Sequence, residues 1–348
     1  MATAARRVVH TLSAPLCKSA LHRRALRLTN TIPTHSHQTR AFAASRSAPS
    51  VPRTRYTIPK DDFTLANIPQ NAFDRAIDYY CRERSSRSDS DSYTRISSAK
   101  CYGVAQRAEM AIRGGASPYS LSFSDVEGIS AETMHMVACV MFAIVSHLEA
   151  RNFSMALWAS ASAKGLRPAT LTLAKYLVHT EMYGKLVGLS ASEARFKSLV
   201  ASGHDADAMA VEGHLLYQQK RYEAAKTVLE RALEIGGHPD WRNYCELRLG
   251  KTYTALDKDN DARRVLEKLA DLGMADAEAP LAELYLKRRW EGWELRTYRA
   301  ANLGKNKLFT QLSEEEMKKH EDGERTNEER LLWSIEWSRL SEDRGMGY

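Results

Sequence analysis

"KLADLGMADAEAP", residues 268–280, closes one helix and opens another. Leu-Gly ends an apolar run, and an Ala-rich segment follows at once. Glycine just past a helix terminus supplies the left-handed conformation that closes the last turn without a Cβ penalty. The same break recurs in "SASAKGLRPAT" (160–170), "SLVASGHDAD" (198–207), "RALEIGGHPD" (231–240) and "RAANLGKNKL" (299–308). The glycines are Gly165, Gly203, Gly236, Gly273 and Gly304, at steps of 38, 33, 37 and 31 residues. Seven positions before them stand Trp158, Phe196, Leu229, Leu266 and Thr297. Four positions before stand Ala161, Leu199, Ala232, Leu269 and Ala300. These offsets share one helical face, so each copy ends in an amphipathic helix of the same register.

A period in the thirties predicts stacked helical hairpins. One such hairpin does not bury its apolar stripe alone, and stacking makes a continuous core. The expectation is an all-α protein, a short right-handed solenoid over residues 130–306. Segment 50–129 reads as linker and N-terminal helices, and 307–348 as a charged segment with an amphipathic helix. Asn71 after Pro69 is the expected N-cap of a helix over 71–84, and "SAKCYGVAQRAEMAIRGG" (98–115) is a further helix. "RSSRSDSDS" (84–92) reads as a mobile linker. Ser313 and Glu316 have capping-box spacing, and Trp333, Trp337 and Leu340 share one face beyond them.

The charge is divided unevenly. Of 50 Lys and Arg residues, eleven lie in 1–60, which holds no Asp or Glu; the other 39 stand against 43 acids, net −4. An Arg-rich, Ser-rich, acid-free N-terminus has the composition of a mitochondrial transit peptide, here 1–49. "RAFAAS" (40–45) resembles the Arg-x-Phe-x-x-Ser pattern of presequences cut twice in the matrix, which implies a mature chain starting at Ser50. The alternative is a basic tail. The most apolar run, "MVACVMFAIV" (136–145), has ten residues, too few to span a bilayer. The expected location is the mitochondrial matrix, with peripheral inner-membrane association through a partner or the C-terminal helix.

No residue pattern demands catalysis. There is no Gly-rich phosphate loop, no paired-cysteine motif and no His-Glu-x-x-His. The histidines at 135, 147, 179, 204, 214 and 238 fall on separate elements, so no metal site is expected. "GLSAS" (188–192) lacks the last glycine of a nucleophile elbow and follows no strand. The expectation is a protein without catalytic residues, cofactor or metal.

Two copies carry a closer likeness. Gly213, Leu216, Tyr222, Ala225, Leu229 and Ala232, and then Leu249, Gly250, Tyr253, Ala262 and Leu266, resemble tetratricopeptide repeats, with Glu246 in the family's Trp slot. The uneven period resembles the Sel-like variant. The resemblance implies a protein-binding scaffold whose first helices line a concave groove. Counted from Gly213 and Gly250, it places Asp207, Ala210, His214, Tyr217 and Gln218, then Tyr244, Leu247, Lys251, Thr254 and Ala255, toward solvent in that groove. In mitochondria it implies assembly or maintenance of respiratory-chain complexes, with protein clients. "KRRWEGWELRTYR" (287–299) offers a secondary patch, Arg288, Arg289, Trp290 and Trp293, read either as a binding surface or as packing at the end of the array. "ALWASASAKGLRPATLTLAKYL" (156–177) also resembles one pentatricopeptide repeat, which implies single-stranded RNA binding or a ribosome-associated part in gene expression. The net −4 body weighs against nucleic acid.

Overall fold

The computed structural model describes residues 55–85, 96–123, 128–144, 147–303, 305, 307–321 and 327–342. The transit-peptide reading of 1–49, Gly304 and most of the 84–92 segment lie outside them. The described residues form α1 (Gln70–Ser85), α2 (Ser98–Arg113), α3 (Ala131–Phe142), α4 (Leu148–Ala163), α5 (Arg167–His179), α6 (Ser190–Ala201) and α7 (Ala206–Gln218). They continue as α8 (Tyr222–Ile235), α9 (Pro239–Ala255), α10 (Asp259–Asp271), α11 (Ala275–Arg288), α12 (Trp293–Asn302), α13 (Lys307–Glu321) and α14 (Asn327–Glu342). Among the described residues the extended pairing is one isolated bridge, Tyr56 with Leu186. Consecutive helices pack as hairpins from α3/α4 to α13/α14, and each hairpin packs on the next. The fold is an all-α solenoid of helical hairpins.

The glycine breaks behave as their sequence predicts. Gly165, Gly203, Gly236 and Gly273 have φ of 86°, 68°, 78° and 80°. Around two of them the chain closes with the six-to-one bond of a Schellman motif: Leu166 N–H donates to the Ala161 carbonyl at 3.1 Å, and Met274 N–H to that of Leu269 at 3.0 Å. Trp158, Phe196, Leu229, Leu266 and Thr297 are all buried. A second series of breaks has no glycine. Glu181, Lys220, Asp257 and Arg289 take φ of 52–59° at the turns inside the hairpins. Sequence inspection passes over them because ordinary side chains occupy the left-handed region there at a modest energetic cost.

Close helix crossings explain the small residues. A Cβ on Gly250 would stand 2.8 Å from Leu266 Cδ2, and one on Gly213 would run into the side chain of Leu229. Ala225 and Ala262 are fully buried in the facing helices. Gly213→Ala should therefore lower stability by roughly 1–3 kcal/mol, because Leu229 must leave its rotamer or the helices must part. Chemical denaturation checks this, and an unchanged midpoint would refute the crossing. Glu246 is buried and held by Lys268 Nζ at 2.7 and 2.8 Å and by Arg242 Nε at 3.2 Å.

The flanks differ from expectation. Residues 56–73 are more than a linker: Phe63, Ile68 and Phe73 are buried in the main core, and Phe63 meets Phe153 of α4 edge-on at 5.9 Å. Tyr56 exchanges main-chain hydrogen bonds with Lys185 and Val187. The first N-terminal helix starts at Gln70, so Asn71 lies inside it, and it packs on α2 and α3. Ser313 is not an N-cap. It lies mid-way along α13 and its hydroxyl donates to the Ser334 carbonyl of α14 at 2.9 Å.

Candidate functional site

The first helices α5, α7, α9 and α11 touch one another in series. The second helices α8, α10 and α12 pack chiefly on first helices. That asymmetry makes α5–α7–α9–α11 the inner row. Counting from the non-glycine breaks aligns it: six positions before Glu181, Lys220, Asp257 and Arg289 stand Lys175, His214, Lys251 and Glu283.

The middle of this row is polar, aromatic and cationic. His214 is buried, and its Nδ1 lies 2.7 Å from the Tyr244 hydroxyl, also buried. Burial, with Arg248 as the largest neighbouring charge, pushes the His214 pKa down to about 2, so the imidazole is neutral. Burial raises the Tyr244 hydroxyl to about 12, so it keeps its proton. Lys175 Nζ stands 4.6 Å from the centre of the Tyr244 ring and 5.0 Å from that of Trp241, and the Arg248 guanidinium carbon 5.2 Å from Tyr244. His179 faces His214 with ring centres 6.5 Å apart. Its pKa is lowered by burial, then by Arg248 and Lys175. Lys251 is half-buried, and burial and Arg248 lower its pKa too. Among the described residues neither Arg248 nor Lys251 has a carboxylate within ion-pair distance. Asp276 and Glu283 of α11 act on Lys251 from one side. The Arg248 Nε is buried without a hydrogen-bond partner.

Several residues expected to face solvent do not. Asp207, Ala210, His214, Tyr244 and Leu247 are buried, because successive first helices close on one another across these positions. Asp207 is bound internally: Arg167 Nη2 donates to it at 2.7 Å, and the same guanidinium makes two 2.7 Å bonds to Asp205. Gln218 Nε2 donates to the Val178 carbonyl at 2.6 Å, and the Thr254 hydroxyl to that of Gly250 at 3.1 Å. Ala255 is half-buried. Tyr217 is half-buried and packs on Tyr222 with centres 5.5 Å apart. Of the expected groove residues, His214, Tyr217, Tyr244 and Lys251 share the inner face. Lys175, His179, Trp241 and Arg248 were missed. Their signal was present: Tyr244, Arg248 and Lys251 follow a three-to-four helical spacing, on the same stripe as Trp241.

The secondary patch is engaged within the chain. Arg288 pairs with Asp259, and Arg289 makes two bonds to Glu315 of α13 at 2.6 and 2.8 Å. Trp290 meets Tyr285 edge-on at 5.3 Å, with the Arg263 guanidinium 5.0 Å from its ring centre. Trp293 packs beside Ala282, Ala300 and Leu308. Thus both arginines bind carboxylates and both indoles help join the last hairpins.

Elsewhere the chemistry is quiet. Burial raises the Cys101 and Cys245 thiols to about 12, which keeps them protonated and unreactive. Among the described residues there is no group of three or more His, Cys, Asp or Glu arranged to hold a metal, and no helix long and apolar enough to cross a membrane. No protein-family model matches the chain, and no curated protein matches it.

Proposed function

We propose that this chain is a non-enzymatic, tetratricopeptide-like scaffold of the mitochondrial matrix whose inner helix row grips an acidic segment of a client protein. One observation carries the binding reading: Arg248 and Lys251 lie together on the inner row, partly desolvated, without a carboxylate partner among the described residues. Like charges held side by side cost stability, and an incoming carboxylate offsets that cost. Tyr217 and Trp241, both half-buried, add hydrogen-bonding and aromatic surface suited to a peptide or helix. The mitochondrial part rests on the acid-free leader, and the assembly or maintenance of respiratory-chain complexes is the corresponding class of task.

Single-stranded RNA is the competing ligand. It needs open aromatic faces for its bases. Lys175 and Arg248 already lie over Tyr244, and Lys175 over Trp241, which favours the peptide reading. The test is fluorescence anisotropy with the full chain and two labelled probes, a peptide alternating Glu with Leu and an RNA oligomer of mixed sequence. The expected result is saturable peptide binding that weakens with salt. Tight RNA binding with a steep salt slope, and none of the peptide, would overturn the proposal. Proximity labelling in intact mitochondria then names the client.

A further inference from the structure

The last helix has two very different faces. Inward, Trp337 stacks on Phe309 of α13 with ring centres 5.6 Å apart and planes 10° apart, and Trp333 stacks on Trp337 at 5.3 Å. Ser334 is buried, and the buried Arg330 pairs with Glu316 at 3.1 Å. These contacts set the rotation of α14. Outward it presents Leu331, Leu332 and Ile335, which are 41%, 61% and 56% exposed. The outer face of a terminal repeat ordinarily needs to be polar for solubility. At 100° per residue these three side chains fall within an arc of about 100°, a contiguous apolar stripe. Glu328 and Arg339 lie on the same arc, one toward each end, and both are exposed.

We propose that this face binds the same face of a second copy of the chain, the two α14 helices running antiparallel about a two-fold axis. The helix is self-complementary about the point between Trp333 and Ser334. In that register Leu332 of each copy meets Ile335 of the other, and Glu328 of each meets Arg339 of the other. One operator therefore joins Leu332 to Ile335 twice and makes both charge pairs, as an isologous interface requires, while Leu331 at the edge of the stripe lies level with Glu336 of the other copy. Arg339 already pairs with Glu336 in its own helix at 2.7 Å, so it is held near the position where Glu328 of the second copy arrives. An anionic lipid surface fits less well, because Glu328 and Glu336 flank the stripe against a single arginine. One helix from each copy makes an interface at the small end of the range, so the dimer is weak and concentration-dependent.

Sedimentation velocity of the full chain, over a roughly hundredfold concentration range, should show reversible monomer–dimer exchange that Leu332→Glu abolishes with helicity unchanged. Glu328→Arg alone sets Arg against Arg at both ends, and Arg339→Glu alone sets Glu against Glu, so each variant should be monomeric. Mixed together, the two should form a heterodimer, since both pairs are then restored. Three results would overturn the proposal: a wild-type chain monomeric throughout, a dimer that survives Leu332→Glu, or single variants that fail to pair on mixing. A monomer that floats with anionic vesicles, and loses flotation in Leu332→Glu, would also overturn it and assign the stripe to a membrane surface.

Discussion

Replacing Arg248 and Lys251 together by methionine should weaken binding of the acidic peptide by about 100-fold, roughly 3 kcal/mol, while thermal stability stays level or rises. The two halves of this expectation have one cause. Among the described residues neither cation has a carboxylate partner, and the Arg248 Nε is buried without an acceptor. Removing charges that support the fold destabilises it; removing charges that repel each other on a partly desolvated surface does not. The pH dependence has a definite sign. Burial, and then Arg248, lower the Lys251 pKa, so the unfolded chain holds that proton more tightly than the folded one. Protonated Lys251 thus costs stability at neutral pH, and the cost is relieved as pH rises from the folded pKa toward the ordinary lysine value. A methionine at 251 should flatten that alkaline rise. Calorimetric unfolding and peptide titration on the same two preparations decide the matter. A large drop in melting temperature would make the pair structural, and unchanged affinity would remove the inner row from binding.

How far the sequence was legible follows from where glycine happened to be used. Breaks between hairpins carry glycine, so their register was readable, and Trp158, Phe196, Leu229 and Leu266 fall inside as that register requires. Breaks within hairpins use Glu181, Lys220, Asp257 and Arg289, whose side chains do not announce a left-handed backbone. Without them the column Lys175–His214–Lys251–Glu283 stays hidden, because the Gly-to-Gly steps vary. Solvent exposure was also beyond pattern reasoning. Asp207 and His214 look like surface residues in one helix and become buried only when α5 and α9 arrive. The secondary patch misled for the opposite reason. Its basic residues read as free charge, whereas their acids lie far along the chain, Asp259 for Arg288 and Glu315 for Arg289.

Arg167→Met should cost about 2–4 kcal/mol, among the largest single-site losses expected outside the apolar core. Arg167 opens α5 and reaches to the start of α7, where its guanidinium bridges Asp205 and Asp207 in three bonds of 2.7 Å. Asp205 is the N-cap of α7 and accepts from Ala208 N–H at 3.0 Å, so one side chain ties two hairpins and a helix terminus together. Asp207 is 6% exposed, and its Oδ1 has no hydrogen-bond partner, so losing Arg167 strands a buried charge. The cost stays below that of a fully enclosed pair because the Arg167 side chain is 45% exposed and water screens its charge. Acid titration gives an independent signature. Burial alone would raise the Asp205 pKa, but the Arg167 and Ala208 hydrogen bonds outweigh it and the net shift is downward. Its contribution is therefore complete above the ordinary aspartate pKa and is lost as pH falls through the lower folded value. In Arg167→Met that acid-dependent loss should shrink. Adding Asp207→Leu to Arg167→Met should recover much of the stability, since an apolar side chain at 207 leaves no buried charge behind. Full stability in the single variant, or no recovery in the double, would mean that α5 and α7 are joined by apolar packing alone.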